Sequence, residues 1–158
     1  MFLIIPVAVD YRARRHPVVT YTIMGLCALV YVISFLVWLS GGNEADYEFV
    51  LRFGFVREEL NWYSWFSHMF THADIFHLLG NMAYLYLFGS CVEDLLGRGK
   101  YVAFYLLGGL AALGVYLLLA PPASDKGILI PLVGASGAIS ACMGAFSLVL
   151  HRTSINLK

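Results

Sequence analysis

From Val18 to Leu39 no side chain carries a charge, and nearly all are apolar. Roughly 20 apolar residues in an α-helix cross a hydrocarbon core about 30 Å thick. Inside lipid the backbone has no water to bond, so only helices and closed barrels span it. Three further stretches come close to the same pattern, about 75–92, 101–120 (ending at Pro121-Pro122) and 132–150. The composition agrees with this reading, since 60% of residues are hydrophobic and 13% are charged. Soluble domains carry roughly 45–50% and 25%. The chain is 158 residues long, a one-domain length. The predicted fold class is all-α: a polytopic transmembrane helical bundle forming a single domain over 1–158.

Lys and Arg collect on the cytoplasmic side of membrane proteins. Arg12, Arg14, Arg15, Arg98, Lys100, Arg152 and Lys158 fall on one side of the predicted spans, and Arg52, Arg57 and Lys126 on the other. The N-terminus is therefore expected in the cytoplasm. The opening MFLIIPVAV is too short to span and lacks the basic leader of a signal peptide; it is expected at the interface or on protein. The outer segment, about 40–66, reads as a long loop. Its aromatics, Phe49, Phe53, Phe55, Trp62, Tyr63, Trp65 and Phe66 among them, place it partly in the membrane surface. The formal net charge is zero, which gives no case for nucleic-acid binding. Cys27, Cys91 and Cys142 lie far apart and define neither a metal site nor a disulfide framework.

Polar side chains inside spans are costly and mark function by default. The second span opens with His68, His72, His77 and Asn81. His68 and His72 share a face if their segment is helical, and His77 and Asn81 share one in the same way. A zinc site of the His-Glu-x-x-His kind is disfavoured, because Met69 follows His68 and no acid or Cys falls in register. His68 and His72 read as structural histidines with backbone partners. His77 and Asn81 lie deeper and need a better reason. In the fourth span small residues recur at Ser136, Ser140 and Gly144, and at Gly137, Ala141 and Ala145. Two small faces suit a helix approached closely from two sides. The second and fourth spans both enter from the outside, so Ser136, His77 and Asn81 come to similar depth. A Ser nucleophile beside side-chain donors for an oxyanion is the arrangement for acyl transfer, provided a base is present.

These residues resemble the rhomboid family of intramembrane serine proteases. His68-x-x-x-His72-x-x-x-x-His77-x-x-x-Asn81 is similar to the family's second-helix signature. Phe88-Gly89-x-x-Val92-Glu93-x-x-x-Gly97-x-Gly99-Lys100 is similar to its helix end and turn. Gly134-Ala135-Ser136-Gly137 is similar to its GxSG nucleophile motif. The resemblance implies a core of six helices or more, of which four spans are present here, and an enzyme with no metal or organic cofactor. Its partners are the lipid bilayer and single-pass membrane protein substrates, cut in or near their transmembrane segments. It implies Ser136 as nucleophile, with His77, Asn81 and the Ser136 N–H as oxyanion hole. His68, His72 and Glu93 would be structural. Where the family often carries Trp-Arg before the second helix, this chain has Tyr63-Ser64. The family's base is a His on the sixth helix, in an H-x-x-G-x-x-x-G run that does not occur within 1–158. His151 follows Ser136 at about 22 Å along a straight helix and cannot replace it. The chain is therefore expected to continue past Lys158, and to be inactive by itself. The alternatives are a rhomboid-like protein that binds client helices without cleavage, and an unrelated helical membrane protein. A bacterial inner membrane is the expected location.

Overall fold

The first helix, α1 (Val18–Phe53), begins without a capping side chain of its own at Pro17. Its free N–H groups are taken by a carboxylate from a distant helix. Glu93 accepts from Val19 N (3.0 Å), Thr20 N (2.8 Å) and the Thr20 hydroxyl (2.8 Å). Both Thr20 and Glu93 are buried. Orphan donors at a helix start favour an anion, and in an apolar surrounding that need is sharper. A computed structural model describes residues 16–59, 61–119 and 129–156, with side chains as far as Leu148. The N-terminal apolar segment, Arg12, Arg14, Arg15, Pro121-Pro122, Lys126 and Lys158 lie outside the described residues.

The predicted outer loop over 40–66 is corrected in its first half. Helix α1 continues to Phe53, broken only at Gly42, whose φ of 71° is open to glycine. The chain reverses there, and a second helical arm, residues 43–53, runs back along the first. Ser34 Oγ donates to Asp46 Oδ1 at 2.5 Å, and Trp38 Nε1 to Asn43 Oδ1 at 2.8 Å. Phe49 and Phe53 face Leu26, Val30 and Ile33 across an apolar groove. This packing, at one-turn spacing, explains why a segment rich in Glu and Asp is helical. Glu44 and Asp46 also sit favourably at the arm's N-terminal end.

After Gly54 the chain pairs with a remote segment. Phe55 N donates to Leu132 O (2.9 Å) and Leu132 N to Phe55 O (2.8 Å). A short helix α2 (Ser64–Ser67) follows. Helix α3 (Ile75–Tyr84) starts at Asp74, whose side chain accepts from His77 N. A π-helical turn, Leu85–Gly89, joins it to α4 (Ser90–Leu96). Helix α5 spans Arg98–Leu119 and α6 spans Ser136–Asn156. Three helices among the described residues are long and apolar enough to cross a membrane: Val18–Phe53, Ile75–Leu96 and Arg98–Leu119; Ser136–Leu148 is a shorter apolar helix. The architecture is an all-α membrane bundle. Helix α6 begins later than the predicted 132, because Leu132 pairs with Phe55 and Gly134 leaves helical geometry.

The core lies where α5, α6 and the π-helical turn meet. Leu85, Tyr101, Tyr105, Ala135, Ala138 and Cys142 are all buried there. Helices α5 and α6 touch backbone to backbone through small residues. A Cβ on Gly108 would lie 2.7 Å from Ala141 Cβ, and one on Gly137 would lie 2.5 Å from Ala112 Cβ. The Gly137/Ala141 face of α6 is therefore filled by α5. The other small face, Ser136, Ser140 and Gly144, is exposed. Gly108→Ala is expected to destabilise the bundle by about 1–3 kcal/mol through overpacking. Gly114, with nothing within 4 Å of its Cβ position, should gain about 0.5–1 kcal/mol as Ala. Reversible denaturation in detergent micelles checks both.

Candidate active site

The geometry of the site starts from Gly134. Its φ of 109° is strained for any residue with a side chain. Its N–H donates to His68 O at 2.8 Å. Space forbids a side chain as well. A Cβ here would lie 2.7 Å from His77 Nε2, 2.8 Å from His77 Cε1 and 3.2 Å from Asn81 Nδ2. The imidazole and the amide, one turn apart on α3, thus both lie against Gly134, two residues before Ser136.

Ser136 opens α6 and is exposed, while Ala135 beside it is fully buried. Its carbonyl accepts from Ser140 Oγ at 2.8 Å. Asn81 is 8% exposed, and its side-chain nitrogen is buried without a hydrogen-bond partner. Buried amide donors are nearly always paired, so an unpaired one calls for an explanation. This unpaired donor lies against Gly134, two residues before Ser136.

His68 and His72 are buried and do not lie on a helix, since α2 ends at Ser67 and α3 begins at Ile75. The conditional expectation of a shared helical face for this pair is thereby corrected. The turn lets each ring reach a backbone carbonyl. His68 Nδ1 lies 2.8 Å from Ser64 O and His72 Nδ1 lies 3.2 Å from Phe70 O. Those partners require the proton on Nδ1 of each ring, and His72 Nε2 is left buried without a partner. The His72 and His77 rings meet edge to face, 5.2 Å apart. Burial, and then the neighbouring His77, push His72 from its ordinary 6.5 down to about 4. Burial also lowers His68.

Of the residues singled out in the sequence, His77 and Asn81 lie against Gly134, two residues before Ser136, with His68 bonded to Gly134 and His72 against His77. Gly137 faces α5. Glu93 lies apart, at the start of α1. At the Tyr63-Ser64 departure, Ser64 is buried, donates to Asn61 O (2.7 Å) and supplies the carbonyl for His68. Sequence reasoning missed Gly54 and Phe55. A Cβ on Gly54 would lie 2.9 Å from Pro131 Cβ and 2.8 Å from Val133 Cγ1. Phe55 is fully buried and edge-on to Trp65. A glycine between Phe53 and Phe55 in an aromatic-rich segment was the available signal.

A transmembrane helical bundle with a Gly-x-Ser-Gly turn under a His and an Asn defines a class, and comparison with known proteins agrees. The Rhomboid domain profile matches residues 59–158, and the chain belongs to the rhomboid family. It is similar to rhomboid protease GluP of Bacillus subtilis (strain 168), at 29% identity over 133 residues, covering 82% of this chain and 24% of that protein. It is also similar to rhomboid protease GlpG of Salmonella newport (strain SL254), at 30% identity over 112 residues, covering 66% of this chain and 36% of that protein. The chain thus spans about a quarter to a little over a third of the length of these relatives.

The histidines make stability depend on pH with a definite sign. Unfolded His72 takes its proton near 6.5 and the folded residue only at about 4. The unfolded chain therefore binds more protons in that window, and stability falls as pH drops through it. The unfolding midpoint in micelles should decline from pH 6.5 to 4. His72→Asn should make the decline shallower.

Proposed function

We propose that the full-length protein is an intramembrane serine endopeptidase that cleaves single-pass membrane proteins in or near their transmembrane segments. The observation that carries this reading is the unpartnered Asn81 amide, held with the His77 ring against Gly134 at the turn that presents Ser136. Ser136 Oγ attacks the scissile carbonyl carbon. The carbonyl oxygen gains negative charge and is met by Asn81 Nδ2, the His77 ring and the Ser136 N–H. Donors fixed before the charge develops act without reorganisation, which is why such sites lower barriers. Gly134 and Gly137 are the small residues of the turn, and His68, His72 and Glu93 hold the scaffold.

The proton of Ser136 needs a base. His77 is committed to the oxyanion, and His151 follows too far along α6. The reading therefore places a glycine-spaced His on a helix beyond Lys158. The exposed Ser136–Ser140–Gly144 face of α6 suits close approach by such a helix. In this reading α6 is a fourth span of a core of six or more, the N-terminus is cytoplasmic, and the site opens to the outer face of a bacterial inner membrane.

The test uses the full-length protein with a single-pass reporter. Ser136→Ala should abolish cleavage, and Asn81→Ala should lower kcat by about 10²–10³-fold. Cleavage retained by Ser136→Ala overturns the mechanism. The intact mass of the natural protein should exceed 17.6 kDa by at least the ~40 residues that two more spans require.

A further inference from the structure

Ser136 is exposed at the first position of α6, so its direction is set by how the chain enters that helix. The lead-in is the extended run from Leu129 to Gly134. Its backbone bonds at Leu132, to Phe55, and at Gly134, to His68, join main chain to main chain. Such bonds fix the spacing of the segments but involve no side-chain choice. Among the described residues one side chain adds to them. The Tyr47 hydroxyl donates to Leu129 O at 2.8 Å.

Tyr47 sits on the arm after Gly42, and that arm is itself fixed. Asp46, the preceding residue, accepts from the buried Ser34. Phe49 and Phe53 pack over α1, and the following Gly54 lies in contact with Pro131 and Val133. The hydroxyl is therefore presented from a rigid support to the far end of the segment whose near end carries the nucleophile.

We infer that Tyr47 is a positioning residue for Ser136: its hydrogen bond to the Leu129 carbonyl fixes the lead-in to α6 and so the orientation of the nucleophile. The inference rests on the assignment of Ser136 as nucleophile. Tyr47 does not touch the scissile bond. Its loss leaves the binding of a membrane substrate in place and slows the attack. A tyrosine at this level has a competing role, because Tyr and Trp both anchor proteins at the headgroup zone. The two roles separate on substitution. Tryptophan keeps an amphipathic anchor, but its indole N–H cannot occupy the position of the phenol hydroxyl.

The experiment compares full-length wild type, Tyr47→Phe and Tyr47→Trp in nanodiscs, reading kcat and KM on a single-pass reporter and the rate of Ser136 labelling by a fluorophosphonate. Tyr47→Phe is expected to lower kcat and the labelling rate together by about fivefold, the worth of one ordinary hydrogen bond, with KM unchanged. Tyr47→Trp should not restore either rate. Unchanged kcat with a lowered unfolding midpoint overturns the inference in favour of a purely structural bond. A change in KM alone, or recovery with Trp, overturns it in favour of substrate contact or membrane anchoring. If wild-type Ser136 takes no label, the nucleophile assignment fails and this inference falls with it. Labelling that proceeds equally in wild type and Tyr47→Phe removes the inference alone.

Discussion

Helices α3 and α6 meet at a residue with no side chain, and the site exists because of that. At Gly134 the chain needs a positive φ to turn from an extended run into a helix. It also needs empty space, since His77 and Asn81 occupy the volume a Cβ would take. Either condition alone would favour glycine. Together they seat an imidazole and an amide against the backbone two residues before Ser136. The His68 carbonyl bonded to Gly134 N–H holds this junction from the third side.

Around it the structure solves a problem set by its solvent. Hydrocarbon offers no hydrogen bonds, so each polar group must find a partner inside the protein. The start of α1 is served by Glu93, the start of α3 by Asp74, and two histidine rings by carbonyls in the turn before α3. Hydroxyls bond back to their own helices, as Ser140 and Ser147 do. A few buried atoms among the described residues depart from that pattern, His72 Nε2, Ser90 Oγ and the Asn81 amide among them, and the Asn81 amide lies against Gly134.

The membrane class was legible because hydropathy is local. The run over 18–39 lies within α1, that over 75–92 within the continuous helical stretch from α3 to α4, and the third, as far as Leu119, within α5. Boundaries were less legible, because helices continue past the apolar run: α5 starts at the charged Arg98, and α4 reaches Leu96. The arm after Gly42 was not legible. Gly41-Gly42 followed by Asn43 and Glu44 reads as a loop, and its helicity comes from packing on α1. The apolar run from Ile130 to Val133 reads as the beginning of a span, yet its partner is Phe55, remote in sequence. For the site, the spacing of His77 and Asn81 and the small residues around Ser136 were visible. The unhelical path of His68 and His72 was not, since their spacing of four suits a helix equally well. The seat that Gly134 offers to two side chains depends on a backbone angle that no periodicity reports.

The Glu93 contact also says something about how the molecule comes into being. Val19 and Thr20 lie at the start of α1, and the carboxylate that completes that start lies 74 positions after Val19. During synthesis α1 can enter the bilayer by its apolar length, but its first turn stays unfinished until α4 has followed. In that interval its exposed amides must be served by water or lipid headgroups, which keeps this end of α1 at the membrane surface. Arrival of Glu93 replaces those temporary partners and joins the two segments. The last part of the second span therefore closes the first, and a fault in its insertion would be felt at the start of α1.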